Sequence, residues 1–175
     1  TILSNCLLTG NVTGEDNLGG VFGSYIIRDD AESGNLTQHT LTATDIVFNG
    51  SISHNFNNSP NYSGGAIGRT RINDSQELTV TLSKLLLVNT VNSPNVNSVV
   101  GSVIGGTVID GTGSITVDET EAYWDSTVNT SELDRPSVAQ GRSTEQLQCV
   151  TENEEGEIDT SNCADGMHAD YSSWD

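Results

Sequence analysis

A pattern that recurs along the chain constrains its fold more than any other feature. Three short apolar segments align around Cys6, Ile46 and Leu85, and a looser fourth copy surrounds Ala122. The steps between these four equivalent residues are 40, 39 and 37 residues. A period of this length is typical of proteins in which each repeat buries its apolar face only against its neighbours. We therefore expect one stacked architecture over most of the chain.

Each copy has the composition of a β-strand rather than of a helix. Its apolar run is short, as in residues 46–48 and 85–87, and lies close to glycine or asparagine. A glycine-rich segment follows each of the first three copies: residues 19–23, 64–68 and 101–105. Glycine suits a sharp corner, a positive φ or a close approach of two backbones, where a Cβ atom would clash. The pattern predicts an all-β fold, a β-solenoid in which Cys6, Ile46 and Leu85 form an interior ladder with steps of about 4.8 Å.

Composition agrees with a thin-cored β architecture and argues against several classes of function. Hydrophobic residues make up 34% and aromatic residues 5% of the 175 residues. Six lysines and arginines against 24 aspartates and glutamates give a net charge of −18, which argues against binding to nucleic acids or to anionic membranes. No run approaches the about 20 apolar residues of a membrane span, so we expect no membrane insertion. Because Thr1 begins in what looks like mid-strand, we expect flanking domains in a longer protein.

The first copy carries a recognisable motif. Residues 2–14, followed by residues 19–23, closely resemble the GLUG motif, a repeat of large bacterial surface and secreted proteins. The second and third copies match more loosely, because Ile46 and Leu85 stand where the motif has cysteine. The resemblance implies a β-solenoid and an extracellular or cell-surface location.

The end of the chain is similar to the segment that ends GLUG arrays. The similarity rests on three segments: residues 123–125, 141–148 and 171–175. We divide the chain into repeats of about 40 residues over residues 1–125 and an irregular capping trailer over residues 126–175. Within the trailer, a capping-box pattern begins at Ser143 and predicts a short helix, from which Leu147 would cover the last repeat.

The cysteines predict one disulfide in the trailer. Cys149 and Cys163 bracket an acidic loop, and a chain bound for an oxidising compartment would pair them. Cys6 lies at a ladder position and is expected to be a small buried apolar side chain.

The same loop has an EF-hand-like spacing over residues 151–162. Asn153, Glu155 and Asp159 are the candidate Ca²⁺ ligands. However, the loop lacks the first aspartate of an EF-hand, and Asn162 stands where the bidentate glutamate belongs. A solvated acidic loop is the alternative, and no cofactor other than calcium is expected.

Histidines and arginines give no catalytic pattern. His39, His54 and His168 lie in different polar segments, with no serine or cysteine arranged beside them as a nucleophile. Arg69 and Arg71 alternate on one predicted strand and could clamp an anion or a sugar carboxylate. Solvation or local ion pairing is the alternative interpretation of these two arginines.

Threonine pairs recur at Thr42 and Thr44 and at Thr79 and Thr81. Regular outward ranks of threonine on a flat β-solenoid can order ice-like water, which would indicate an antifreeze protein. The two pairs do not occupy equivalent repeat positions, and the first and fourth copies are expected to lack them. The antifreeze interpretation is therefore not favoured.

The function that these patterns favour is non-catalytic. We expect a structural or adhesive repeat module of a large extracellular bacterial protein, secreted or at the cell surface, whose loops bind a glycan or another ligand of a host or cell surface. Phe56 and Tyr62, in a polar insertion, are the candidate ligand-binding residues. Two alternatives stay open: a β-helix polysaccharide lyase or hydrolase, and a filament subunit that stacks end to end.

Overall fold

The computed structural model describes residues 1–28, 37–55, 61–73, 75–92, 99–128, 140–147, 151–152 and 158–159. These residues are almost entirely β-structure, with a single helical turn. The strands are β1 (Ile2–Gly14), β2 (Leu18–Gly19), β3 (Phe22–Ile27), β4 (Gln38–His54), β5 (Tyr62–Gly64), β6 (Ile67–Asn73), β7 (Glu77–Asn92), β8 (Val99–Gly101), β9 (Ile104–Asp110), β10 (Ser114–Asp125), β11 (Gln140–Arg142), β12 (Thr151–Glu152) and β13 (Ile158–Asp159). The helical turn is α1 (Thr144–Leu147).

Three parallel sheets make up the described part of residues 1–142. The first has the strand order β1-β4-β7-β10-β11, the second β2-β5-β8 and the third β3-β6-β9. Each circuit of the chain therefore adds one strand to every sheet: β1–β3 form the first circuit, β4–β6 the second and β7–β9 the third. Every strand pair in these three sheets is parallel, and each circuit lies beside the next.

The register between circuits confirms the repeat alignment. Cys6 pairs with Ile46, Ile46 with Leu85, and Leu85 with Ala122. The glycine-rich segments also stack, through the series Gly19, Gly64 and Gly101 and the series Phe22, Ile67 and Ile104. Equivalent residues of successive repeats are thus direct neighbours across the sheets.

The core is a set of apolar columns enclosed by the three sheets. Ile46 and Leu85 have no exposed surface, and the same is true of most inward side chains of the second and third circuits. These fully enclosed residues are Leu41, Ile52, Ile72, Val80, Leu82, Leu87 and Val103. The sequence pattern is therefore correct for Ile46 and Leu85, which the stacking of circuits removes from water.

A corner column interrupts the alternation of inward and outward residues on the long strands. Asn5, Asp45, Lys84 and Glu121, the members of this column, have φ values of 54°, 54°, 50° and 55°. On β4, the buried residues have odd numbers up to Ala43 and even numbers from Ile46 onward. The left-handed residue thus bends the strand so that both of its halves face the core. Across the column, Lys84 Nζ lies 3.7 Å from Asp45 Oδ1.

The glycine-rich segments are places of close backbone approach. A Cβ atom on Gly64 would clash with the carbonyl oxygen of Ile67, and one on Gly101 would clash with that of Ile104. Among the described glycines, a positive φ occurs only at Gly10 and Gly111, outside these segments. Close approach, rather than positive φ, explains the glycines there.

The described part of the trailer covers the last long strand. β11 pairs with β10, and Leu147 of α1 packs against Tyr123 and Leu86. The buried Asp125 ties the two segments together, because Oδ1 accepts from the amides of Thr127 and Val128 and Oδ2 accepts from the hydroxyl of Thr144. The capping-box pattern is correct about both the short helix and the role of Leu147.

In the described residues, no helix is long and apolar enough to cross a membrane.

Candidate functional site

The candidate site lies on the outer face of the third sheet. Along β6, Thr70 and Ile72 point into the core and are fully buried, whereas Arg69, Arg71 and Asn73 alternate with them and are half-buried. The parallel register places Ser24 beside Arg69 and Ile26 beside Arg71. Side chains from two circuits therefore share one outer surface.

These side chains enclose an open groove of about 280 Å³. The lining residues are Ile26, Arg28, Arg69, Arg71 and Asn73, and we call this surface the arginine groove. Three of the six cationic side chains of the chain line it, in a protein whose net charge is −18. The groove is thus a local concentration of positive charge on an acidic molecule.

The three arginines differ in their partners. Arg71 is paired with Asp110 on the neighbouring β9, with Nε and Nη2 both 2.5 Å from Oδ2. Arg28, which follows β3 and is exposed, forms no ion pair with any residue of the described ranges. Arg69 has no acidic partner among those residues either, so within the described part of the chain two of the three arginines are not paired with a carboxylate.

Arg69 lies between the groove and an aromatic ring. Its guanidinium carbon is 6.0 Å from the centroid of the Tyr62 ring. The ring rests on Gly106, where any Cβ atom would clash with it. The Nε atom of Arg69 is buried without a hydrogen-bond partner, as is Oδ1 of Asn73. The groove therefore contains one orphaned donor and one orphaned acceptor beside a half-buried aromatic ring.

A second polar cluster, centred on His54, lies inside the molecule. Nε2 of the buried His54 is 2.5 Å from the hydroxyl of Ser63, and its Nδ1 is 3.5 Å from the amide nitrogen of Asn61. Asn61 also donates to the carbonyl of Glu15. The sequence does not indicate this contact, which arises because the fold brings strand β5 back against the end of β4.

This cluster contains the residue types of a nucleophilic site, a serine beside a histidine, but a substrate has no access to it. Ser63 has no exposed surface and Asn61 is 2% exposed, so no substrate reaches the hydroxyl. Burial lowers the pKa of His54 below 6.5, and the carboxylate of Asp16 partly opposes that shift. A neutral imidazole bonded to a buried hydroxyl is a structural element of the core.

Threonine ranks are more regular than their positions in the sequence suggest. Thr42 pairs with Thr81, and Thr40 pairs with Thr79, which pairs with Thr116. The two pairs named from the sequence are offset by two residues, as expected: Thr42 pairs with Thr81, but Thr44 pairs with Ser83. The rank through Thr42 ends at Ile2 on one side and at Asp118 on the other. The array of threonines therefore ends at an apolar side chain on one side and at a charged side chain on the other.

The remaining predicted residues are distributed as follows. Tyr62 lies beside the arginine groove, whereas Phe56, His168, Cys149 and Cys163 are outside the described residues.

The calcium prediction is likewise only partly covered by the described residues. Asn153 and Glu155 lie outside them, and Asp159 is described only as backbone of β13. β12 and β13 pair as a short antiparallel ladder within the segment of EF-hand-like spacing. The described residues contain no group of three or more metal-binding side chains.

Cys6 carries a free thiol, which donates to the carbonyl of Ser4 over 3.2 Å. It is partly exposed rather than buried, because β1 forms the edge of its sheet.

Three of the groove residues were not predicted from the sequence: Ile26, Arg28 and Asn73. The signal that could have found them is the repeat itself. Aligning Phe22 with Ile67, as the glycine-rich segments do, places Ile26 beside Arg71, and the same alignment continued past the end of β3 matches Arg28 with Asn73. The repeat thus carries information about outward positions as well as about the apolar ladder.

Comparison with protein-family models, with curated proteins and with solved structures gives no significant match to this chain.

Proposed function

We propose that this chain is a β-solenoid module of a large extracellular bacterial protein, and that it serves as a non-catalytic structural and adhesive element. The observation that carries the proposal is the stacking of three circuits in register, with equivalent apolar and glycine residues in contact. Such a scaffold holds outward side chains at fixed spacing while segments between the strands vary in length.

Several features support a spacer and binding role. The regular positions of the repeat are apolar or glycine, so they supply the core rather than chemistry. The arginine groove and Tyr62 lie on the outside, where a ligand has access. The resemblance of residues 2–14 and 19–23 to the GLUG motif supports a surface or secreted location, and residues 126–175 would then form the cap.

The same structure supports a non-catalytic role over a hydrolase or lyase. A glycoside hydrolase needs two carboxylates on opposite sides of the substrate, but no carboxylate of the described residues lines the arginine groove. The nearby Asp110 is engaged by Arg71. In the His54 cluster, the one hydroxyl beside an imidazole is buried.

A glycan array combined with a turnover assay tests this proposal. Purified chain is applied to the array, and the same glycans are incubated with it and assayed for new reducing ends or unsaturated products. We expect binding without turnover, and weaker binding when Phe56→Ala is combined with Tyr62→Ala. Leu7→Ala is the control, since it removes an exposed apolar side chain from the first sheet, away from the groove.

Turnover of any glycan would overturn the non-catalytic assignment. Absence of both binding and turnover would overturn the adhesive role. Binding that survives the double aromatic substitution would remove Phe56 and Tyr62 from the site.

A further inference from the structure

Unsatisfied hydrogen-bonding groups distinguish the arginine groove from an ordinary charged surface. Arg69 Nε and Asn73 Oδ1 are both buried without a hydrogen-bond partner, which is unfavourable for the folded chain. Arg28 adds a second guanidinium without a carboxylate among the described residues. Arg28 and Arg69 therefore present guanidinium groups in the lining of the groove to a ligand that accepts hydrogen bonds.

The contact between Arg71 and Asp110 shows which ligand chemistry this surface accommodates. Two nitrogens of the Arg71 guanidinium approach one carboxylate oxygen across neighbouring strands. A guanidinium presents its donors as a planar fork, which matches a carboxylate better than a point charge does. Arg69 lies two residues earlier on the same strand and offers the same fork without a carboxylate partner among the described residues.

Apolar surface beside the arginines favours a sugar that carries the carboxylate. Ile26 is 38% exposed in the lining of the groove, and the centroid of the Tyr62 ring is 6.0 Å from the guanidinium carbon of Arg69. Apolar and aromatic side chains with a few placed polar groups are typical of sites that bind small organic ligands. The carbon face of a pyranose ring can contact such side chains while its carboxylate faces the arginines.

The charge of the whole molecule makes this preference selective. A net charge of −18 repels anionic chains at long range, whereas the arginines attract a carboxylate only at short range. Only an anion that fits the groove gains the compensating hydrogen bonds.

We propose that the arginine groove binds the carboxylates of a uronic-acid-containing polysaccharide, with Arg69 and Arg28 as the carboxylate partners and Ile26 as the contact for the sugar ring. The inference rests on the proposed binding function and names its ligand class.

Calorimetric titration with a hexamer of galacturonate tests the inference on the full chain. The methyl ester of the same hexamer is the matched ligand, because it keeps the sugar and loses the charge. We expect the acid to bind and the ester to bind at least about tenfold more weakly, in line with the strength of a charge-assisted hydrogen bond. Arg69→Gln should weaken binding of the acid by about tenfold or more, and Arg69→Lys, which keeps the charge without the fork, should lie between.

Lys84→Gln is the control variant, since it removes one positive charge from a different sheet and should leave the affinity unchanged. Thermal melting of each variant establishes that it folds like the parent chain. Equal binding of acid and ester, or an effect of Lys84→Gln as large as that of Arg69→Gln, would overturn the inference.

Two further ligands separate the possible sources of the anion. A sulfated oligosaccharide that binds as tightly as the galacturonate hexamer would overturn the preference for a carboxylate. Hexaglutamate that binds as tightly as the same hexamer would overturn the preference for a sugar. If the chain binds neutral glycans on the array but not the hexamer, the inference fails and the proposed function stands. If it binds neither, both fail.

Discussion

At the residue scale, Asn5, Asp45, Lys84 and Glu121 share one left-handed backbone conformation, although their side chains differ in size and charge. Asparagine and aspartate adopt this conformation readily, whereas for lysine and glutamate it costs about 1–2 kcal/mol. The cost is offset because the bend keeps the apolar residues on both sides of the corner inside. Position in the repeat, rather than side-chain type, decides the backbone here.

His54 provides a prediction at the same scale. Because its pKa is lowered in the folded chain, the unfolded chain takes up the proton first as the pH falls through about 6.5. Stability should therefore decrease as the pH falls from about 7 to about 5, and the decrease should end below the folded pKa. Thermal melts across this range, compared with His54→Gln, measure the effect.

The stability of His54→Gln should change less with pH over this range than that of the parent, whatever the stability of the variant at neutral pH. His39→Gln is the control for replacing a histidine outside the buried cluster, because His39 bonds to Gln76. A His54→Gln variant with the full slope of the parent would assign the pH dependence to other groups.

At the element scale, the long strands β4 and β7 supply most of the large, fully buried side chains of the described structure. Each presents its apolar residues to the core on both sides of the corner column and pairs with a neighbour on each edge. Neither strand could bury its apolar face alone, so the circuits stabilise one another cooperatively.

Leu85 provides the prediction for these elements. It has no exposed surface and stands between Ile46 and Ala122. Leu85→Ala should lower the free energy of unfolding by about 2–5 kcal/mol, and Leu85→Asp should prevent folding by burying an unpaired charge. Thr79→Ala, at an exposed position on the same strand, should stay within about 0.5 kcal/mol of the parent. Chemical denaturation measures the free energies of unfolding of Leu85→Ala and Thr79→Ala. A Leu85→Asp variant that melts close to the parent would contradict the register.

At the scale of the whole molecule, the net charge of −18 opposes compaction of the chain. Raising the salt concentration from about 0.01 M to about 0.15 M shortens the Debye length from about 30 Å to about 8 Å. The repulsion among the carboxylates then acts over shorter distances. Because this repulsion is stronger in the compact folded state than in the expanded unfolded chain, screening it stabilises the folded state.

We accordingly expect the melting temperature to rise between these salt concentrations, by the same amount in sodium and potassium chloride. Calcium chloride at matched ionic strength tests the prediction for Asn153, Glu155 and Asp159. A larger rise in calcium, abolished by Asp159→Asn, would indicate a bound ion, and an equal rise would leave only screening. A melting temperature that does not change with salt would contradict the role of self-repulsion.

Much of the fold could be predicted because its strongest signals, the repeat of apolar residues and the glycine-rich segments, can be recognised in the sequence itself. The spacing of Cys6, Ile46, Leu85 and Ala122 sets which residues share a column, since apolar residues of successive repeats leave water together. The glycine-rich segments mark the close approaches between sheets, because only a residue without a Cβ atom fits there. The capping box at residues 143–146 likewise sets the position of α1. The corner column could not be predicted in the same way, because Lys84 and Glu121 carry no sequence signal for a positive φ.

The sequence by itself thus determined the strands, the order of stacking and the interior ladder, because burial imposes a periodic pattern on inward residues. Outward residues follow no such periodic pattern, so only the tertiary structure decided which side chains they contact. It brought Arg28 and Arg69 from different circuits into one groove, and it closed His54 onto Ser63 inside the molecule. Contacts of this kind depend on the register between circuits and on the direction in which each side chain leaves its strand. Both are fixed only when the three sheets close around the core.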